Sequence, residues 1–509
     1  MPIIGSIIKS AIELKSMMPA DIRKPSPISQ QKKVLKKLLR KAQLTAFGQH
    51  YQFADILKEK DFISQFRQTV PLHDYNKMHN DWWYRTLTGE AYVCWPGKVK
   101  YFALSSGTSE ATSKYIPITP EMLRAIKKTS IRTLVAAANF DIPTDFLQRG
   151  ILMLGGSTHL NYNGTYYEGD LSGITTGNIP FWFQHHYKPG RQISAERNWE
   201  TKIEEIVRKA PEWDIGAIVG VPAWFQILMT KIIERYNLNN IHEMWPNLTM
   251  FTHGGVSFAP YAKSFEKLLG KPLIYLETYL ASEGYIAYQD DPNSDSMSLV
   301  VDNGLFYEFA PFNDDNFDSE GNIKPTASTL TIDQVEQGKD YALILSSVAG
   351  AWRYLIGDVL RFTDLNKCQI QIVGRTKHYL SVCGEHLSQD NMNRAVEMLE
   401  NEYNISVPEF TVAGMPYEGM FKHTWWIGTN DKIDTELAAK AIDNNLKQLN
   451  DDYRVERIAA IRKVEVEILP IDTFYEFMKS KGKVGAQIKF PRVMKKHLSD
   501  WLEFLNNQK

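Results

Sequence analysis

Residues 248–279 constrain the fold of this chain more than any other stretch. Residues 248–253, Leu-Thr-Met-Phe-Thr-His, read as a buried strand ending at Gly254 and Gly255. Residues 258–269 then read as a helix stopped by Gly270, and residues 273–279 as a second strand. Strand, helix and strand with short connections form a βαβ unit, which requires a parallel sheet with helices on its faces. Ligands of such sheets bind beyond the carboxyl ends of the strands, so Gly254, Gly255 and the turn over 279–284 are expected at one rim.

The alternation extends upstream. Strand 150–156, helix 199–209 and strand 215–219 are expected, the last turning through Gly220 into a helix that starts at Pro222. The apolar run 215–229 is shorter than the roughly 20 residues that cross a bilayer, so no membrane span is expected. A helix over 121–138 carries Arg124 and Arg132. Ser29 is expected to cap another helix, with Val34, Leu35, Leu38, Leu39 and Ala42 on one face and a solvated basic face opposite. Trp82, Trp83 and Trp95 lie in a stretch whose structure the pattern does not assign.

From about residue 299 the pattern becomes antiparallel, with short strands 305–309, 341–346, 353–354 and 359–362 divided by Gly350 and Gly357, then strand 367–373. Beyond Gly374 comes a more charged segment with its own cores. It holds a helix after Ser388, strands 410–412 and 423–427, a helix over 435–449 and a strand over 464–469. The expected fold class is α/β, with a large domain over 1–374 holding parallel and mixed sheets and a smaller α+β domain over 375–509.

Lys and Arg total 58 against 59 Asp and Glu, a net charge of −1, so nothing global draws the chain to nucleic acid or membranes. Cys94, Cys368 and Cys383 are not spaced for a disulfide framework or a zinc site, which fits a reducing cytoplasm. The apolar start of the chain lacks the basic region and cleavage site of a signal peptide. His185-His186 and Cys383 with His386 prompt a metal-hydrolase reading, but neither has a ligand set of usual spacing.

Four segments carry candidate chemistry. In residues 101–114 an apolar strand enters a turn of Ser105, Ser106, Thr108 and Ser109 around Gly107, then reaches Lys114. Backbone N–H groups converging at such a glycine turn, with hydroxyls at its rim, hold phosphate. Small polar loops of this kind are also common as plain turns. Tyr279, Ser282 and Glu283 offer a ring that stacks on a purine, a hydroxyl, and a carboxylate for Mg²⁺ beside phosphate; the alternative is a core tyrosine and a surface glutamate. Asp358 after Gly357 is a turn dipeptide or a carboxylate that accepts from two ribose hydroxyls. The basic glycine-containing loop 479–492 is solvated, or closes a lysine over an anionic site.

In their order these segments resemble the motifs of the adenylate-forming superfamily, and more closely the auxin-responsive Gretchen Hagen family of acyl acid amido synthetases. The loop Ser-Ser-Gly-Thr-Ser at 105–109 with Lys114, Arg-Tyr-x-x-Gly-Asp-Val at 353–359 and Gln-x-Lys-x-Pro-Arg at 487–492 carry the likeness. The resemblance implies ligation of a small carboxylic acid to an amino acid through an acyl adenylate, with ATP and Mg²⁺. It implies that Ser105, Ser106 and Thr108 hold phosphate, Tyr279 lies on adenine, Glu283 binds Mg²⁺, Asp358 holds ribose and Lys489 assists adenylation. Arg375 falls in the matching Gly-Arg element, and Lys377 matches the hinge of the C-terminal domain. The resemblance also implies a β-barrel-like portion in the first domain and mobility of the second. Arg132 is a candidate for an acidic group of the substrate. Glu110, Ala111 and Leu280 depart from the family pattern. An acyl-CoA synthetase and a non-catalytic nucleotide sensor are the alternatives.

Overall fold

The computed structural model describes residues 25–105, 114–143, 145–179, 183–255, 258, 262–318, 321–376, 379–385, 387–480, 490–494 and 497–508. The chain divides into two compact units, the first built from Met1–Ser105 with Tyr115–Thr376 and the second holding the residues from Lys377 onward. Among the described residues no helix is long and apolar enough to cross a membrane.

The first unit opens with helix Pro27–Ala42, whose Val34, Leu35, Leu38, Leu39 and Ala42 are buried. Its cap is Ser26 rather than the expected Ser29: Pro27 has no N–H to lose and fits the first turn, and Ser29 instead donates its N–H to Ser26 Oγ. Helix Pro120–Ala136 starts at the Thr119 cap, and helix Trp199–Lys209, capped by Asn198, occupies its expected span. The tryptophans that the pattern left open form an aromatic core. Trp352 lies 6.4 Å from Trp95 and 5.7 Å from Phe47, and Phe47 lies 4.8 Å from Trp82 (ring centroids).

A four-stranded sheet contains β1 (Tyr101–Ser105), β2 (Lys114–Ile118), β4 (Asn161–Tyr162) and β5 (Tyr167–Gly169) in the order β2-β1-β5-β4. A larger sheet begins with β3 (Gly150–Met153), β6 (Tyr187–Lys188), β7 (Ile215–Gly220), β8 (Met250–Gly254) and β9 (Ile274–Ala281). It continues through β10 (Gly284–Tyr288), β11 (Met297–Leu299) and β12 (Leu305–Pro311), then β13 (Asp340–Ser347), β14 (Tyr354–Asp364) and β15 (Gln369–Arg375). Its order is β12-β13-β14-β15-β11-β10-β9-β8-β7-β3-β6. The span from β6 to β9 is parallel and the span from β9 to β12 antiparallel. The helix expected over 258–269 is described over Ala262–Leu268, with residues 259–261 outside the described residues. One expectation is corrected here: Gly357 does not divide two strands, because β14 runs through it as one strand whose pairing shifts register between Val359 and Leu360.

The second unit has a strand pair β16 (Tyr379–Leu380) and β17 (Leu387–Ser388), and a three-stranded sheet of β18 (Glu409–Tyr417), β19 (Met420–Gly428) and β20 (Ile461–Leu469). Helix Thr435–Leu449 fills its expected span under the cap of Asp434 and packs on β20 and on helix Gln389–Tyr403. A second core gathers Phe474, Phe477, Phe490 and Trp501 beneath helix Leu498–Gln508.

Candidate active site

The site is built where the parallel and antiparallel halves of the large sheet meet. Ala281 pairs with Gly284, which leaves Ser282 and Glu283 as a two-residue hairpin turn. Tyr279, expected as the last residue of strand 273–279 and the first of the turn, lies within β9, because Ala287 of β10 pairs with it and prolongs the strand to Ala281. Glu283 is 8% exposed although it sits at a turn, and the Tyr354 phenol at the start of β14 donates to its carboxylate. Burial, then the Glu283 charge, push the Tyr354 phenol well above its ordinary range, so it stays a donor.

Asp358 gathers the other candidates. Cross-strand pairing puts it opposite Arg375, whose Nε lies 3.2 Å from Oδ1, while the Tyr279 hydroxyl donates to Oδ2. Arg375 also donates through Nη2 to the Ile356 carbonyl at 3.3 Å. Gly357 stands between with φ of 95°, a left-handed conformation that glycine adopts without strain. In the order β9-β10-β11-β15-β14 the strands of Tyr279 and Asp358 are four spacings apart, roughly 19 Å in a flat sheet. Two side chains do not bridge that distance, so the sheet curls between β9 and β14. The curl is the barrel-like character expected of this portion. Burial and the Asp358 charge hold the Tyr279 phenol well above its usual range, which keeps it protonated and donating.

The glycine rim lies one strand away. Gly254 ends β8 so close to β9 that a Cβ there would sit 2.4 Å from the Thr278 carbonyl oxygen, and Thr278 Oγ1 in turn donates to the His253 carbonyl. Only a residue without a side chain fits this approach. Ser105 ends β1 in the smaller sheet. Ser106, Gly107, Thr108, Ser109, Lys377 and Lys489 lie outside the described residues, as do Glu110, Ala111 and His386. Arg132 does not join the site: its terminal nitrogens donate to both oxygens of Asp302 at 2.6 and 2.7 Å, so its fork is satisfied within the protein.

Two supports of the site, the Glu308 partner of the motif residue Arg353 and the bracketing His73, escaped the sequence reading. Arg353, held at φ of 44°, pairs with the buried Glu308 at 2.8 Å and donates to the Arg67 and Val70 carbonyls. His73 brackets it: its N–H donates to the Arg353 carbonyl and its carbonyl accepts from Leu355. Together they clamp the entry of β14, and with it Tyr354 and Glu283. The adjacency of Arg353 and Tyr354 in one motif was the available signal; the Glu308 partner, 45 residues upstream, had none.

These residues fit a nucleotide and a hard cation by their donor chemistry. A carboxylate offers about four acceptor positions, so Asp358 retains capacity for ribose hydroxyls beyond Tyr279 and Arg375. Among the described residues no group of three or more His, Cys, Asp or Glu forms a metal cage. Mg²⁺ as a class needs none, being held through one or two carboxylates plus substrate phosphates, and Glu283 at the turn would be the carboxylate available to such an ion.

Comparison with known proteins meets this geometry from outside. The GH3 family N-terminal domain matches residues 23–159 and 156–274, the central domain 298–375 and the C-terminal domain 390–497. An indole-3-acetic acid-amido synthetase, GH3.4 of Arabidopsis thaliana, is 27% identical over 274 residues, which is 50% of this chain and 45% of that protein. The jasmonoyl–L-amino acid synthetase JAR6 of Nicotiana attenuata is 21% identical over 525 residues, 87% of each. Thus several of these relatives are matched over only about half of their own length, as with 44% for GH3.8 of Oryza sativa. Among solved structures, the acyl acid amido synthetase AtGH3.15 in complex with 2,4-DB superposes with a TM-score of 0.59 at 17% identity, covering 99% of this chain and 96% of that one. A 2-hydroxyisobutyryl-CoA ligase in complex with 2-HIB-AMP and CoA gives 0.58 at 14% identity, covering 96% and 93%. The folds are shared, and with all three of its domain models matched along most of its length, the chain belongs to the GH3 family.

Proposed function

We propose that this chain is an ATP-dependent acyl acid amido synthetase. In the first half-reaction a carboxylate oxygen attacks the α-phosphorus of ATP, and the bond to pyrophosphate breaks. In the second an amino acid nitrogen attacks the acyl carbon, AMP leaves, and the nitrogen gives up a proton. The observation that carries the reading is the convergence on the Asp358 carboxylate of Arg375, from the neighbouring strand, and Tyr279, from a strand four spacings away.

Each residue has a part in that scheme. Asp358, oriented by Tyr279 and Arg375, accepts from the ribose hydroxyls. The Tyr279 ring lies along the adenine, and Gly254 and Gly255 let the substrate approach the backbone at the rim. Glu283 holds Mg²⁺, which when bound offsets phosphate charge. Ser105, Ser106, Gly107, Thr108 and Ser109 cradle phosphate, and Ser282 adds a hydroxyl beside Glu283. Lys489 neutralises charge that develops between the carboxylate and the α-phosphate, and Lys377 is the hinge of a mobile C-terminal domain that serves the two half-reactions in turn. A cytoplasmic setting accords with three free, buried cysteines.

The test is pyrophosphate release from Mg-ATP with a panel of aromatic, indolic and aliphatic carboxylic acids, with and without pooled amino acids. Acid-dependent release that rises with amino acids is expected. Release that rises with CoA and not with amino acids would replace the amide synthetase by a thioester-forming ligase. No acid-dependent release across the panel would leave a nucleotide-binding protein without turnover.

A further inference from the structure

Helix Pro27–Ala42 contains no acidic residue and carries Lys32, Lys33, Lys36, Lys37, Arg40 and Lys41, all exposed. The six span nine rises, about 14 Å of helix, so they act as one field within roughly two Debye lengths at physiological salt. None of them makes an ion pair with a described residue, although exposed lysines elsewhere in the chain, such as Lys58, Lys77 and Lys339, do. The pairs 32–36, 33–37, 36–40 and 37–41 place like charges four residues apart, an arrangement that weakens a helix. The helix tolerates this because its other face is locked into the core by Leu35, Leu38, Leu39 and Ala42. Residues 1–24 offer only Glu13 and Asp21 against four cations of their own, so their composition does not neutralise the stripe.

An apolar corner adjoins the stripe. Leu44, two residues past the helix, is 70% exposed, the highest value among the exposed large hydrophobic side chains of the described residues. Tyr92 is also exposed, and its carbonyl accepts from the Ala46 amide, which places it beside the turn that carries Leu44. We propose that the Lys32–Lys41 stripe with Leu44 and Tyr92 docks this protein reversibly on an anionic phospholipid surface. A polybasic face gains from anionic headgroups charge by charge, and an adjoining leucine and tyrosine suit the interfacial layer. Nucleic acid fits less well. The helix is packed flat on the protein body and cannot enter a groove lengthwise, and no aromatic side chain interleaves the cations to stack on bases. This docking is independent of the ligase chemistry.

The experiment is co-sedimentation of the full chain with vesicles of phosphatidylcholine alone or mixed with phosphatidylglycerol, at low and high salt. Binding is expected only with phosphatidylglycerol, and release at high salt. Each cation removed lowers partitioning about fivefold, so the combined variant Lys33→Gln, Lys36→Gln, Lys37→Gln and Arg40→Gln falls several hundredfold. Leu44→Ser falls roughly tenfold. Pyrophosphate release in solution stays as in the unmodified chain for both variants, and circular-dichroism melts are not lowered in the fourfold variant, whose like-charge repulsion is relieved. No binding to phosphatidylglycerol vesicles, equal binding to neutral vesicles, or wild-type partitioning of the fourfold variant would overturn the proposal. So would a duplex DNA or single-stranded RNA that binds more tightly than the vesicles at the same salt.

Discussion

The two units bury histidine in opposite ways. In the first unit His253 is 5% exposed, with its ring stacked on Phe258 at 4.9 Å and tilted 5.4 Å from Phe251, and no carboxylate shifts its titration. Burial pushes it down to about 4. His73 is fully buried and donates from Nδ1 to the Trp352 carbonyl at 2.8 Å; burial drives it to about 4 as well. In the second unit His423 is equally buried but lies 3.0 Å from Glu385 through Nε2. Burial alone would raise the Glu385 carboxyl, yet the His423 hydrogen bond and charge and the Cys383 N–H outweigh it and hold it at about 2. The first unit therefore keeps its histidines by keeping them neutral. The second keeps a carboxylate charged by pairing it, and uses the pair to tie the 382–385 segment to β19.

The largest test of this contrast removes the partner. Glu385→Ala leaves a buried histidine without its acceptor and the Val382 and Cys383 N–H groups unsatisfied, a loss of about 3–5 kcal/mol confined to the second unit. Hydrogen-exchange mass spectrometry should show lost protection in β18, β19 and β20 with the first unit unchanged; full protection there would break the contrast. Acidification separates the units next. A buried histidine with a depressed pKa stabilises fully above its unfolded value near 6.5, and that stability drains as pH falls toward 4. By pH 5 each of His73 and His253 has cost the first unit about 2 kcal/mol. Glu385 loses its contribution only between about 4.5 and 2, below the range in which His73 and His253 act. Urea unfolding at pH 7 and pH 5, read by pulsed hydrogen exchange, should lower the first-unit transition more than the second-unit transition.

Smaller effects distinguish a carboxylate that builds from one that also binds. Asp358 has partners, as Glu385 has, but it lies where β14 faces the β9 hairpin and keeps acceptor capacity. Asp358→Asn should weaken binding of a non-hydrolysable ATP analogue about 10- to 100-fold in calorimetry, with little change in the melt. Unchanged affinity would make Asp358 structural like Glu385. Tyr279→Phe, which removes only the orienting hydroxyl, should cost roughly three- to tenfold in the same measurement.

What was legible in the sequence follows from what periodicity carries. The βαβ core, helices Trp199–Lys209 and Thr435–Leu449 and the antiparallel strands announce themselves through local patterns and caps. The motif residues Tyr279 and Asp358 could be named, and their meeting could not. It depends on a curl across four strand spacings that no local pattern encodes. The strand through Gly357 was misread because a glycine that serves a register shift looks like one that ends a strand. The pairs Glu308 with Arg353 and Glu385 with His423 join residues 45 and 38 positions apart, and a lone glutamate does not announce its partner.

Attack of a carboxylate on the α-phosphorus of ATP at the proposed Tyr279, Asp358 and Arg375 site leaves an isotopic record. A turnover-competent acid with both carboxyl oxygens labelled with ¹⁸O is supplied, and the nucleotide product is examined by mass spectrometry. The expected product is AMP carrying one labelled oxygen, released together with unlabelled pyrophosphate. Label in inorganic phosphate with ADP as the nucleotide product would mean attack at the γ-phosphorus, and would contradict it.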